Sequence, residues 1–100
     1  MEKRKPHYDL GTIKATFVSV ATLRITKTGT KCAEELGIDL DEVVIVIQGM
    51  TRAQFHKSMT SQANSAIWQD VYYVPWTTIV LYVKLTTDAE GYLVISFKEK

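Results

Sequence analysis

Apolar residues recur at helical spacing in the first half of this chain and alternate with polar residues in the second. Leu10, Ile13, Phe17, Val20 and Ala21 share one face of a 3.6-residue period, which predicts an amphipathic helix over residues 9–21 with Asp9 as its N-cap. Leu23 to Thr26 reads as a short extended piece. Thr28 is placed to cap a second helix ending at Gly37, a residue suited to a left-handed terminus. Val43 to Ile47 is an unbroken β-branched run that propensity alone assigns to a strand. Two local signals oppose that assignment. Asp39 and Glu42 have the spacing of a capping box, and Gly49 stands where a helix would stop. Acids in a first turn also favour the helix dipole, so residues 39–48 are expected to be helical. Thr51-Arg52-Ala53-Gln54 repeats the box spacing and predicts one further short turn.

Four segments then carry β-branched and aromatic residues: Phe55 to Thr60, Ile67 to Val74, Thr78 to Thr87 and Tyr92 to Lys98. Alternation is clearest in the last two. Leu81, Val83 and Leu85 point one way and Tyr82, Lys84 and Thr86 the other; Leu93, Ile95 and Phe97 oppose Val94, Ser96 and Lys98. Asp88-Ala89-Glu90-Gly91 is a hairpin loop between them. Pro6 and Pro75 mark turns. Helices followed by an antiparallel meander predict an α+β fold, with the helices packed on the apolar face of the sheet. The other face then gathers Tyr82, Lys84, Ser96 and Lys98.

Composition narrows the class. One hundred residues, 46% of them hydrophobic, make a single folded domain over residues 1–100 with a thin core. The lone Cys32 permits no internal disulfide, and Met1 to Asp9 has no apolar stretch behind it, so a cytoplasmic setting is expected. The longest aliphatic run is too short to span a bilayer, and no membrane role is expected. The net charge of +1 conceals a sharp division: residues 1–31 hold seven bases and two acids, and residues 32–49 hold five acids and no base. Such a molecule can present a basic surface to a polyanion, although solvated tails and helix faces explain the same pattern.

Several chemistries fit poorly. His7, His56 and Cys32 lack the paired spacing of a zinc site, and no phosphate loop, zinc-protease helix or nucleophile elbow is present. Cys32 reads as a small packing residue. No cofactor is expected. RNA cleavage without a metal requires an acceptor for the 2′-OH proton, a stabiliser of charge at phosphorus and an acid for the departing 5′ oxygen. Lysine, tyrosine, glutamine and histidine on one sheet surface can fill these roles, while Tyr72, Tyr73 and Trp76 can stack on splayed bases. An exposed sheet face with two lysines and a tyrosine is nonetheless more often only solvated.

Longer blocks sharpen the reading. The chain opens Met1-Glu2-Lys3-Arg4 and Pro6-His7, continues Phe55-His56-Lys57-Ser58-Met59-Thr60 and Ile67-Trp68-Gln69-Asp70-Val71-Tyr72, carries Tyr82-Val83-Lys84, and closes Val94-Ile95-Ser96-Phe97-Lys98-Glu99-Lys100. These blocks, in this order, resemble the MqsR toxins (motility quorum-sensing regulators) over essentially the whole chain. The resemblance implies a RelE/YoeB-like α+β fold and an mRNA interferase that prefers GC-containing sites. It also implies inhibition by an MqsA antitoxin with a zinc-binding toxin-binding part and a helix-turn-helix part, so that DNA is engaged only through the antitoxin. Its active-site positions fall on Lys57, Gln69, Tyr82 and Lys98, and Lys84, Tyr72, Tyr73 and Trp76 are the accompanying candidates for substrate binding.

There are departures. Where family members often continue Tyr-Arg-Pro, this chain reads Tyr72-Tyr73-Val74-Pro75-Trp76, which removes a phosphate-neutralising arginine. His56 replaces a common tyrosine; simple alternation sends it to the strand face opposite Lys57, with at most a minor role. Residues 11–34 match less well. Two functions therefore remain in view: a toxin endoribonuclease that attacks through the 2′-OH, or a binding module of the same fold that has lost efficient cleavage.

Overall fold

A computed structural model describes residues 1–100. The elements run β1 (Glu2–Lys3), α1 (Leu10–Thr16), a 3₁₀ turn (Val20–Thr22), α2 (Lys27–Glu35), α3 (Leu40–Gly49), a second 3₁₀ turn (Arg52–Gln54), β2 (Phe55–Thr60), β3 (Trp68–Trp76), β4 (Ile79–Thr87) and β5 (Leu93–Glu99). The strands form one antiparallel sheet in the order β1-β2-β3-β4-β5. This is the expected α+β architecture, with the short β1 added at the edge. No helix is long and apolar enough to cross a membrane.

The core lies between the helices and one sheet face. Ile13 and Phe17 of the α1 region meet Val43, Val46, Ile47 and Met50 over Tyr72, Val74, Leu81, Val83, Leu85, Ile95 and Phe97. Val43, Val46 and Ile47 are buried while Ile45 is 60% exposed, so the β-branched run follows the helical period rather than the period of a strand. The capping box explains why. Asp39 accepts from the Glu42 amide at 2.8 Å and Glu42 accepts from the Asp39 amide at 3.1 Å. A cap of this kind contributes about 1 kcal/mol against the roughly 2–3 kcal/mol that five β-branched residues cost in a helix, and burial of Val43, Val46 and Ile47 against the sheet supplies the rest.

Two predicted boundaries move. The first helix ends at Thr16 instead of residue 21, with Phe17 as its C-cap. Gln48 of α3 donates to the carbonyls of Lys14 at 2.8 Å and Phe17 at 3.1 Å, satisfying acceptors that a helix end leaves open. Ser19 is then extended and starts the 3₁₀ turn. This break frees residues 24–26 to run along β5, where Ile95 donates to the Arg24 carbonyl and Thr26 donates to the Ile95 carbonyl. Because Thr26 is held extended there, it caps α2 in place of Thr28 and accepts from the Gly29 amide at 3.0 Å. Gly29 has a packing reason: a β-carbon on it would stand 3.0 Å from Ser96 Cα, so its absence lets α2 lie against β5. Gly37 is left-handed, with φ of 71°, as expected of a helix terminus.

Two polar side chains are buried on the helix side, Ser58 and Asp70, paired across β2 and β3. Asp70 accepts from the amides of His7 at 3.1 Å and Tyr8 at 2.9 Å. Tyr8 also donates its hydroxyl to the Trp68 carbonyl at 2.7 Å. These bonds fasten the segment between β1 and α1 across the sheet.

Candidate active site

The sheet face away from the helices carries the chemistry, and the strand register sets its layout. Tyr82 of β4 lies directly between Tyr73 of β3 and Lys98 of β5. The neighbouring row runs Ser96, Lys84, Val71, Lys57 from β5 to β2. Lys98 Nζ stands 5.1 Å from the Tyr82 ring centre, and Lys100 Nζ stands 4.9 Å from that of Tyr73. Lys57, across Val71 from Lys84, lies in the row next to both tyrosines. The α2 residues Thr28 and Cys32 border a hollow of about 210 Å³ with Tyr82, Lys84, Ser96 and Lys98 on its floor.

Not every expected residue arrives there. Tyr82, Lys98, Lys84, Lys57 and Tyr73 share the face. Gln69 shares it too, paired with Met59, but four residues along β3 from Tyr73, roughly 13 Å away at strand rise. Tyr72 does not: it is fully buried in the core, edge-on to Phe55, and has no surface to offer a base. Its hydroxyl has no partner, and burial pushes its pKa up to about 12. Trp76 alternates to the same side and packs on the core. The stacking roles expected of Tyr72 and Trp76 are therefore withdrawn, because in a strand only every second residue shares a face.

His56 moves the other way. The register shifts between Phe55 and Lys57, so one extra residue is accommodated in β2. A bulge suspends alternation. The His56 ring consequently stacks on Tyr73 at 4.3 Å, on the face it was expected to avoid. Two further residues were missed. Lys100 follows Lys98 at strand spacing, a signal the alternation already contained. Glu2 gave no signal, since β1 has only two residues; it forms an ion pair with Lys57 at 2.7 Å. The three scattered candidates for a metal remain apart: His7 stacks on Trp68, His56 on Tyr73, and Cys32 sits on α2.

The electrostatics follow from these contacts. The hydrogen bond from Lys57, and then its charge, hold the Glu2 carboxyl below the usual glutamate range. The same bond raises Lys57 above the ordinary lysine value. Burial raises the Tyr82 phenol, opposed by the charge of Lys57. At neutral pH, Lys57 and Tyr82 are thus protonated, able to donate to a phosphate oxygen or a leaving oxygen and unable to accept a proton.

Lysines, stacked aromatics and a carboxylate–lysine pair on one open sheet face of a small α+β domain form a basic surface of the kind that suits a phosphodiester chain. Comparison with known proteins makes this specific. Residues 5–99 match the family described as "Motility quorum-sensing regulator, toxin of MqsA". The mRNA interferase toxin MqsR of Escherichia coli (strain K12) is 41% identical over 100 residues, covering 100% of both chains. The chain belongs to the MqsR toxin family.

Proposed function

We propose that this chain is the toxin of a type II toxin–antitoxin system, a sequence-selective endoribonuclease that cleaves mRNA in the cytoplasm without a metal. Attack by the ribose 2′-OH on the adjacent phosphorus gives a 2′,3′-cyclic phosphate and a free 5′ hydroxyl. An MqsA-type antitoxin neutralises it, and DNA is engaged only through that partner. The observation that carries the reading is the cross-strand Tyr82–Lys98 pair with Lys57 nearby, in a chain of this family.

Lys98 and Lys57 stabilise the extra charge on the phosphorane, and Tyr82 or Lys57 protonates the departing 5′ oxygen. Tyr73, with His56 on one side, offers a stacking platform for a base, and Lys84 neutralises a neighbouring phosphate. Gln69, two rows along β3 from Tyr73, reads the flanking nucleotide instead of touching the reacting phosphate.

The purified chain is incubated with mixed-sequence RNA in excess EDTA. Cleavage is expected to persist, with cyclic phosphate ends, while DNA of the same sequence stays intact. Loss of cleavage in EDTA and its return with magnesium would overturn the metal-free reading. Expression alone is expected to arrest growth, relieved by a co-encoded antitoxin. The alternative, a binding module without efficient cleavage, draws support from Tyr73 standing where the family often has arginine; RNA that is bound but uncut would favour it.

A further inference from the structure

The mechanism above leaves the 2′-OH proton without an acceptor. Lys57 and Tyr82 are protonated at neutral pH, the Gln69 amide has no useful basicity, and the His56 ring is given to stacking flat on Tyr73. Among carboxylates, Asp70 is buried on the opposite sheet face with both oxygens engaged by backbone amides, and Asp88 and Glu90 sit at the far hairpin. Glu2 alone has its carboxylate against a site residue, with Oε1 at 2.7 Å from Lys57 Nζ.

We propose that Glu2 is the general base of this ribonuclease, taking the 2′-OH proton on its carboxylate while the paired Lys57 ammonium faces the same phosphate. The proposal rests on the endoribonuclease reading. Three features support it. Glu2 is held in place by pairing with Met59, and the Thr60 amide donates to the Met1 carbonyl at 2.9 Å. On the far side, Asp70 ties down His7 and Tyr8, so β1 is secured at both ends. The Glu2 side chain is 61% exposed, so an incoming hydroxyl can reach it. It also lines an open hollow of about 290 Å³ with Lys3, Arg4, His56 and Lys57, a basic setting for a ribose and its phosphate.

The step balances without a co-reactant. The 2′ oxygen forms its bond to phosphorus as its proton passes to Glu2. The bond from phosphorus to the 5′ oxygen breaks, and that oxygen takes a proton from Lys57 or Tyr82. Glu2 then returns its proton to solvent. The pairing suits the role: a carboxylate kept ionised by Lys57 is always ready to accept. The cost is a weaker base, partly offset by its position beside the reacting group.

The test compares wild type with Glu2→Gln and Glu2→Asp in single-turnover cleavage. Substrates are ordinary RNA and RNA whose scissile 5′ oxygen is replaced by sulfur, a leaving group that needs no acid. Glu2→Gln is expected to cut ordinary RNA roughly a hundredfold or more slowly, with Glu2→Asp in between. The defect should remain on the sulfur substrate, where the variant that lacks the acid recovers: Tyr82→Phe if Tyr82 is the donor, or the acid-dependent part of the Lys57→Ala defect if Lys57 is, the loss of its charge at the phosphate persisting. Melting, and binding of an uncleavable 2′-deoxy analogue, should be unchanged. The wild-type rate should fall as pH drops through a range below the usual glutamate value, and Glu2→Gln should lack that limb. The groups facing Glu2 are Lys57 and His56 from β2, and Lys3, Arg4 and the Met1 amino group from its own segment. A wild-type rate for Glu2→Gln overturns the proposal, as does a defect that disappears on the sulfur substrate, which would make Glu2 a positioning residue for the acid. Loss of the rate in His56→Gln with Glu2→Gln unaffected would transfer the role to His56. Failure of the underlying reading looks different: the wild type would leave 5′-phosphate ends or cut 2′-deoxy substrates.

Discussion

Replacing Lys98 by alanine removes one exposed ammonium group from a strand end and nothing from the core. Lys98 lies opposite Tyr82, with Nζ 5.1 Å from the ring centre, while its strand neighbour Phe97 is the residue that packs inward. An exposed cation–ring contact of this kind contributes about 0.5–1 kcal/mol. Its loss should lower the melting temperature by no more than ~8 °C in a domain of this size. The effect on cleavage should be much larger. A charge that strengthens its interaction as the phosphorane forms is worth about 2.7–4 kcal/mol when lost, or roughly a hundredfold to a thousandfold in rate. Lys98→Arg should retain part of the rate, since the charge persists while its geometry changes. Single-turnover cleavage read beside a melting curve separates the two effects. Wild-type cleavage by Lys98→Ala would show that the site is misplaced, and a collapsed melting curve would show that the residue is structural.

Tyr72→Phe deletes a buried hydroxyl that has no partner, so stability should hold or rise by up to about 1 kcal/mol, with cleavage unchanged; a large rate loss would return Tyr72 to the site. Gly29→Ala places a β-carbon 3.0 Å from Ser96 Cα, and chemical denaturation should show a loss of about 1–3 kcal/mol as α2 is pushed off β5. Asp88 has its carboxyl held below the usual aspartate range, first by the Tyr92 amide and then by Arg24 at 2.8 Å. A folded-state value below the unfolded one stabilises above the unfolded pKa, and that contribution is lost as pH falls through the folded value. Asp88→Asn should therefore be less stable than wild type at neutral pH, with the gap closing below the usual aspartate range. A gap independent of pH would assign the effect to geometry rather than charge.

The local chemistry of the chain was enough to establish most of its elements. Asp39 and Glu42 lie three positions apart, and that spacing decided between helix and strand for Val43 to Ile47, because a reciprocal cap acts within a single turn. Leu81, Val83 and Leu85 facing Tyr82 and Lys84 established which side of β4 is buried, and the Asp88–Gly91 loop set Tyr82 opposite Lys98. Both follow from the two-residue period of a strand and the length of a hairpin. What lay beyond local reach was decided by partners distant in sequence. The first helix stops at Thr16, where Gln48 takes its last carbonyls and β5 captures residues 24–26. β1 is too short to signal itself and exists because β2 offers an edge to pair with. The bulge beside His56 breaks the alternation on which its placement was judged, since pairing with β3 must absorb one extra residue. Glu2 reaches Lys57 for the same reason: the sheet joins two segments 55 residues apart, a contact that no local pattern encodes.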